Sequence, residues 1–135
     1  MIVYLLRSGK RFKIYSLGTD DSIEYLDYLA SLNIKDQNRF ETLIHRLVEI
    51  GEIHDKRKFR NLNDGIYELK TSNAKRIYCF WSNNKYLTGA IIISHGTDKL
   101  SPNKLKREKS KILEKMNKFK NCTPDIRTIP DEGNL

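Results

Sequence analysis

The period of the hydrophobic positions changes along the chain, and each change marks a new kind of element. Ile2 to Leu6 and Phe12 to Leu17 are short, β-rich runs separated by Ser8-Gly9-Lys10, the pattern of a hairpin or two edge strands. Ile23, Leu26, Leu29 and Ala30 then recur at helical intervals behind Asp21 and Glu24, which have capping-box spacing, so a helix is predicted over residues 21–32. Asn33 to Lys35 interrupt it, Asp36 offers a second cap, and Phe40, Leu43, Ile44, Leu47 and Val48 form a second stripe ended by Gly51. Two helices so closely joined predict an antiparallel helical hairpin.

Beyond Lys56 to Arg60 the period becomes two. Ile66 to Lys70, Arg76 to Trp81 and Leu87 to His95 read as strands of an antiparallel meander, with polar turns at Thr71 to Lys75 and Ser82 to Lys85. Ser101-Pro102 opens a last helix whose apolar stripe is Leu105, Ile112, Met116 and Phe119. Residues 1–120 thus read as one domain, and the acids, prolines and glycine of residues 121–135 predict a flexible C-terminal tail.

Composition adds a direction. The 135 residues carry 25 Lys+Arg against 17 Asp+Glu, a formal net charge of +8, with 39% hydrophobic residues to build one core. The charge is partitioned: Asp20 to Asp55 is net −6, leaving +14 elsewhere, gathered in Arg7 to Lys13, Lys56 to Arg60 and Lys99 to Lys120. Three separated basic clusters are the composition that a phosphate backbone selects, because each cation placed near a phosphate releases condensed counterions. The apolar runs Ile2 to Leu6 and Ala90 to Ile93 fall far short of the about 18–20 residues that span a bilayer. Cys79 and Cys122 lack metal-ligand spacing, and Arg7 to Arg11 follow too short an apolar run for a signal peptide. A cytoplasmic chain with no membrane partner, no metal and no cofactor is the expectation.

Strand alternation also predicts chemistry. If the turn after Lys70 sets it opposite Arg76, then Ile66, Glu68 and Lys70 share a face with Arg76, Tyr78 and Phe80. The other face, Tyr67, Leu69, Ile77, Cys79 and Trp81, is the apolar one for helices to cover. The first would then present two cations, a carboxylate and a phenol on an open surface where a base can stack, although ordinary cross-strand pairing explains the same residues. His95, before Gly96, is the most versatile titratable group nearby. His45 reads as packing or partner contact, and His54 stands in the loop before the basic run.

Phe12 to Ser16, Leu47 to Gly51, Lys58-Phe59-Arg60-Asn61-Leu62, Gly65-Ile66-Tyr67-Glu68-Leu69-Lys70, Arg76-Ile77-Tyr78 and Ile92-Ile93-Ser94-His95-Gly96 before a basic helix resemble the RelE/ParE toxin superfamily, most closely its HigB-like, phage-derived branch. The resemblance implies an α+β fold with N-terminal strands, a helical hairpin packed on a twisted antiparallel sheet, and a C-terminal basic helix. It implies the toxin of a type II toxin–antitoxin system, a ribosome-dependent mRNA endoribonuclease whose partners are the ribosome, mRNA and a helix-turn-helix antitoxin. In such metal-independent cleavage the ribose 2′-hydroxyl attacks the adjacent phosphorus. Arg76 and Lys70 would then hold the phosphate charge and His95 would move protons, with Tyr78, His54 and Lys99 as additional candidates. Lys56, Arg57, Lys58, Arg60, Lys104, Lys106, Arg107, Lys109 and Lys111 would bind RNA or the ribosome. After His95-Gly96 the branch usually carries Phe and two Lys, whereas this chain reads Thr97-Asp98-Lys99-Leu100. Alternatives are a ParE-like inhibitor of DNA gyrase and a non-catalytic RNA- or antitoxin-binding protein.

Overall fold

A computed structural model describes residues 1–129. The first two strands, β1 (Ile2–Ser8) and β2 (Lys13–Gly18), pair as the expected hairpin, with a bulge between Leu5 and Arg7. Two helices follow, α1 (Glu24–Ala30) and α2 (Ile34–Glu49), then the strands β3 (Phe59–Asn61), β4 (Ile66–Lys70), β5 (Lys75–Trp81) and β6 (Ala90–Asp98). The last helix is α3 (Pro102–Lys120), and a short strand β7 (Asp125–Thr128) comes after it. All seven strands form one sheet in the order β3-β4-β5-β6-β2-β1-β7.

The α+β class is as expected, but the sheet is mixed. The antiparallel meander β3 to β6 returns beside β2, and β6 pairs with it in parallel, because α1 and α2 carry the chain from β2 across to the far edge. β7 also pairs in parallel, with β1. Part of the predicted tail is therefore a strand: the edge of β1 offers unpaired backbone groups, and Ile126 and Thr128 suit an extended segment. Residues 130–135 of that tail lie outside the described residues.

The predicted caps shift by a few residues. α1 begins after Ile23 without a side-chain cap, so the Asp21–Glu24 capping box does not form. The cap of α2 is Asn33, whose side chain accepts from the Asp36 amide at 2.9 Å. Asp36 itself is fully buried, and its carboxylate accepts from Asn73 and Arg39. Gly51 (φ +91°) closes α2 in the left-handed region that glycine enters without steric cost. The two helices lie side by side on the sheet rather than packing mainly on each other: α1 sits on β6, and α2 reaches β1, β2 and β4.

Two cores result. Under α1 and α2, Tyr25, Phe40, Ile44, Leu47 and Val48 meet Ile14, Leu69, Ile77, Cys79 and Ile93 of the sheet. Under α3, Ile112 and Phe119 meet Ile66, Tyr78, Phe80 and Ile92. Burial of a side chain the size of Phe119 is worth about 1.5–3 kcal/mol, which fastens the basic helix to the sheet. Asn84, in the β5–β6 turn, secures the far end of α3 by donating to the carbonyls of Phe119 and Cys122 at 2.6 and 2.8 Å. The second sheet face is consequently covered, not open as the strand pattern alone implied: Tyr78 and Phe80 are wholly buried and offer no stacking platform.

Candidate functional site

The register places Lys70 opposite Arg76 and Glu68 opposite Tyr78, as alternation predicted, and β3 adds Arg60 opposite Glu68. Cation and carboxylate therefore meet on one face near the β3 edge, next to the Tyr78 phenol that α3 covers. Glu68 is 2% exposed and Arg76 8%. Arg60 Nε lies 2.9 Å from Glu68 Oε1 and Arg76 Nε 3.9 Å from the same oxygen, yet neither is aligned as a hydrogen bond, and that oxygen has no hydrogen-bond donor among the described residues. Arg76 Nη1 instead donates to the carbonyls of Lys75 and Thr71 at 3.0 and 3.4 Å. Burial, then the neighbouring Arg60 and Arg76, hold the Lys70 ammonium below the ordinary lysine range. Three cations around one carboxylate leave an excess of positive charge suited to an anion.

The Tyr78 hydroxyl shares a 2.8 Å hydrogen bond with Thr97 Oγ1, and burial raises its pKa. Thr97, where the resembled branch has an aromatic residue, thus holds the phenol beside Arg76. Asp98 faces away from this cluster and pairs with Lys75 at 2.9 Å.

His95 lies on the same face, opposite Tyr78, but its ring is tied elsewhere. Nε2 is 2.5 Å from Glu108 Oε1 on α3, Nδ1 is 2.7 Å from Ser94 Oγ, and Lys115 Nζ is 3.5 Å from Nδ1. These partners assign a neutral ring with its proton on Nε2, donated to Glu108, while Nδ1 accepts. Burial, then the Lys115 charge, lowers the pKa, and Glu108 opposes them. The ring forms part of a cleft of about 390 Å³ lined by Glu24 of α1 and by Glu108, Lys111, Glu114, Lys115 and Lys118 of α3. The structure therefore brings Lys70 and Arg76 together and sets His95 in a second cluster.

The other expected residues divide similarly. His54 is exposed and 2.9 Å from Glu52. His45 is exposed on α2. Lys99 is exposed, and its charge reaches Lys70. Lys56, Arg57 and Lys58 occupy the exposed turn before β3, where Arg57 binds Asp55 at 3.1 Å. On α3, Lys104, Lys106, Arg107 and Lys111 are exposed, whereas Lys109 folds back to donate to the Leu62 carbonyl at 2.6 Å and so serves the fold.

Periodicity gave no sign of a groove of about 600 Å³ between α2 and the end of β4, lined by Asn38, Arg39, Thr42, Leu43, Arg57 and Lys58 together with Lys70 and Thr71. Arg39 and Asn38 belong to the acidic segment, so net charge along the chain hid them. Among the described residues no group of three or more His, Cys, Asp or Glu side chains is placed to hold a metal ion, and no helix is long and apolar enough to cross a membrane. The family model described as Phage derived protein Gp49-like (DUF891) matches residues 27–120, from within α1 to the end of α3. No curated protein matches the chain.

Proposed function

The chain belongs to the phage-derived Gp49-like family, a RelE/toxin-like family, and on that premise we propose that it is the toxin of a type II toxin–antitoxin system that cleaves mRNA on the ribosome in the cytoplasm and is neutralised by a helix-turn-helix antitoxin. The observation that carries this reading is the Lys70–Arg76–Arg60 cluster around Glu68, a preorganised cationic site at the edge of the sheet.

Attack of a ribose 2′-hydroxyl on the adjacent phosphorus forms the new O–P bond, expels the 5′-oxygen and leaves a cyclic phosphate. The enzyme must remove one proton, stabilise the phosphorane and return a proton to the leaving oxygen. Arg76, held by the carbonyls of Lys75 and Thr71, supplies fixed positive charge to the phosphorane. Lys70, whose ammonium is more acidic than usual, binds the same phosphate and can protonate the leaving oxygen. His95 is the residue for the 2′-hydroxyl proton, and it serves only when Glu108 or Ser94 gives up a ring nitrogen. A gyrase-directed or purely binding role is the second reading, favoured by the burial of Tyr78 and His95.

Induced expression with mapping of mRNA 5′ ends separates the two. New ends and growth arrest with wild type, both lost with Arg76→Ala, support the nuclease; arrest with intact mRNA sends the function to gyrase or another protein target.

A further inference from the structure

The groove between α2 and the end of β4 shares only Lys70 with the chemistry just described, and its composition specifies a ligand. Arg39, Arg57, Lys58 and Lys70 line it against a single acid, Asp55, which is already taken by Arg57 through two 3.1 Å contacts. Leu43 and the aliphatic stems of the long cations provide apolar surface, and Asn38, Thr42 and Ser72 provide neutral hydrogen-bonding groups. Its volume of about 600 Å³ falls within the range of small-molecule sites, about 300–1,000 Å³. Apolar walls with a cationic rim suit a nucleobase flanked by phosphates.

Thr71 adds a separate observation. It is 7% exposed, it lines the groove, and its hydroxyl has no hydrogen-bond partner among the described residues. An orphaned buried hydroxyl costs about 1–3 kcal/mol, and rotation about χ1 toward a ligand relieves that cost. The same residue's carbonyl accepts from Arg76 Nη1, so groove and cationic cluster share a wall.

We propose that this groove binds a nucleotide of single-stranded RNA adjoining the phosphate held by Lys70 and Arg76, with Arg39, Arg57 and Lys58 on its phosphates and the Thr71 hydroxyl on its ribose or base. The proposal rests on the RNA-cleaving reading for its substrate class. The α2 side of the sheet is then part of the RNA path even though α2 belongs to the acidic segment.

The test is fluorescence anisotropy of a short labelled single-stranded RNA with 2′-O-methyl riboses, titrated with the full chain over a series of salt concentrations. Arg39→Ala and Arg57→Ala are each expected to raise Kd several-fold and to reduce the log–log salt slope by about 1. Thr71→Val is expected to raise Kd about threefold to tenfold, from the loss of one hydrogen bond, with a melting temperature equal to or above wild type. Lys85→Ala, which removes the same charge at the opposite end of β5, is expected to shift Kd less than about twofold. Equal weakening by Arg39→Ala, Arg57→Ala and Lys85→Ala overturns the proposal in favour of diffuse charge attraction. Unchanged RNA binding by Thr71→Val also overturns it. The two readings fail separately. Groove-dependent RNA binding with intact cellular mRNA upholds the groove and refutes the nuclease, whereas mRNA cleavage with groove variants that bind like wild type refutes the groove alone.

Discussion

Replacing Glu108 with Ala removes the acceptor that fixes His95 to α3. Both side chains are mostly buried, at 8% and 17% exposure, so the liberated Nε2–H has little access to water. Loss of a hydrogen bond to a charged group is worth about 1.5–3 kcal/mol. For a chain of this size 1 kcal/mol moves the melting temperature by about 3–5 °C, so a fall of about 5–15 °C is expected. Glu108→Gln keeps an acceptor without the charge and should lose less than half as much. The titration of His95 supplies a second readout. Its folded-state pKa lies below the ordinary 6.5 through burial and Lys115, while Glu108 pulls it back up. The unfolded chain thus binds the proton first as pH falls. The stability contributed by the neutral ring is complete above about pH 6.5 and is lost as pH drops toward the folded value. Without the carboxylate the folded value falls further, so the variants' acid-side loss should extend to lower pH. Thermal melts between neutral and acid pH, with NMR titration of the His95 ring, measure both effects. An unmoved titration midpoint together with equal losses in the Ala and Gln variants would refute the assignment of this contact as charge-assisted and of His95 as neutral.

Other expectations follow from single contacts. Gly96→Ala drives a Cβ into the Tyr28 ring, which is held by its hydroxyl on the Thr97 carbonyl at 2.8 Å; the expected loss is about 1–3 kcal/mol in chemical denaturation, and Tyr28→Leu in the same chain should recover part of it by yielding the space. Asp36→Ala leaves Asn73 without its carboxylate acceptor and should destabilise by about 1–3 kcal/mol, with a double-mutant cycle against Asn73→Ala showing non-additivity of at least about 0.5 kcal/mol. Cys79 is buried and its thiol pushed up to about 12, whereas Cys122 is partly exposed; a thiol reagent near pH 8 should label one cysteine in the native chain and two in denaturant, and rapid native labelling of both would contradict the packing of Cys79.

The strand register was legible because alternation in Ile66–Lys70 and Arg76–Trp81 permits one pairing that buries Leu69, Ile77 and Cys79 together, and a one-residue slip would expose them all. From that register the neighbourhood of Glu68, Lys70 and Arg76 follows directly. What alternation cannot report is what lies above a sheet face. Ile66, Tyr78 and Phe80 look like a mixed, open face until the stripe Ile112–Phe119 is seen to need a surface, and theirs is the one left once α1 and α2 cover the other. The same blind spot separated His95 from the cationic cluster. Its strand position is local information, but Glu108 and Lys115 reach it through the docking of α3, a contact with no trace in the His-Gly dipeptide. The glycine itself is explained by packing, since the Tyr28 ring occupies the space of its missing Cβ. The His-Gly pair thus joins two demands on adjacent residues: close approach of α1 at Gly96, and a hydrogen-bonded tether to α3 at His95. Whatever moves α3 acts on the histidine first, while Lys70 and Arg76, built on the strands themselves, stay in place.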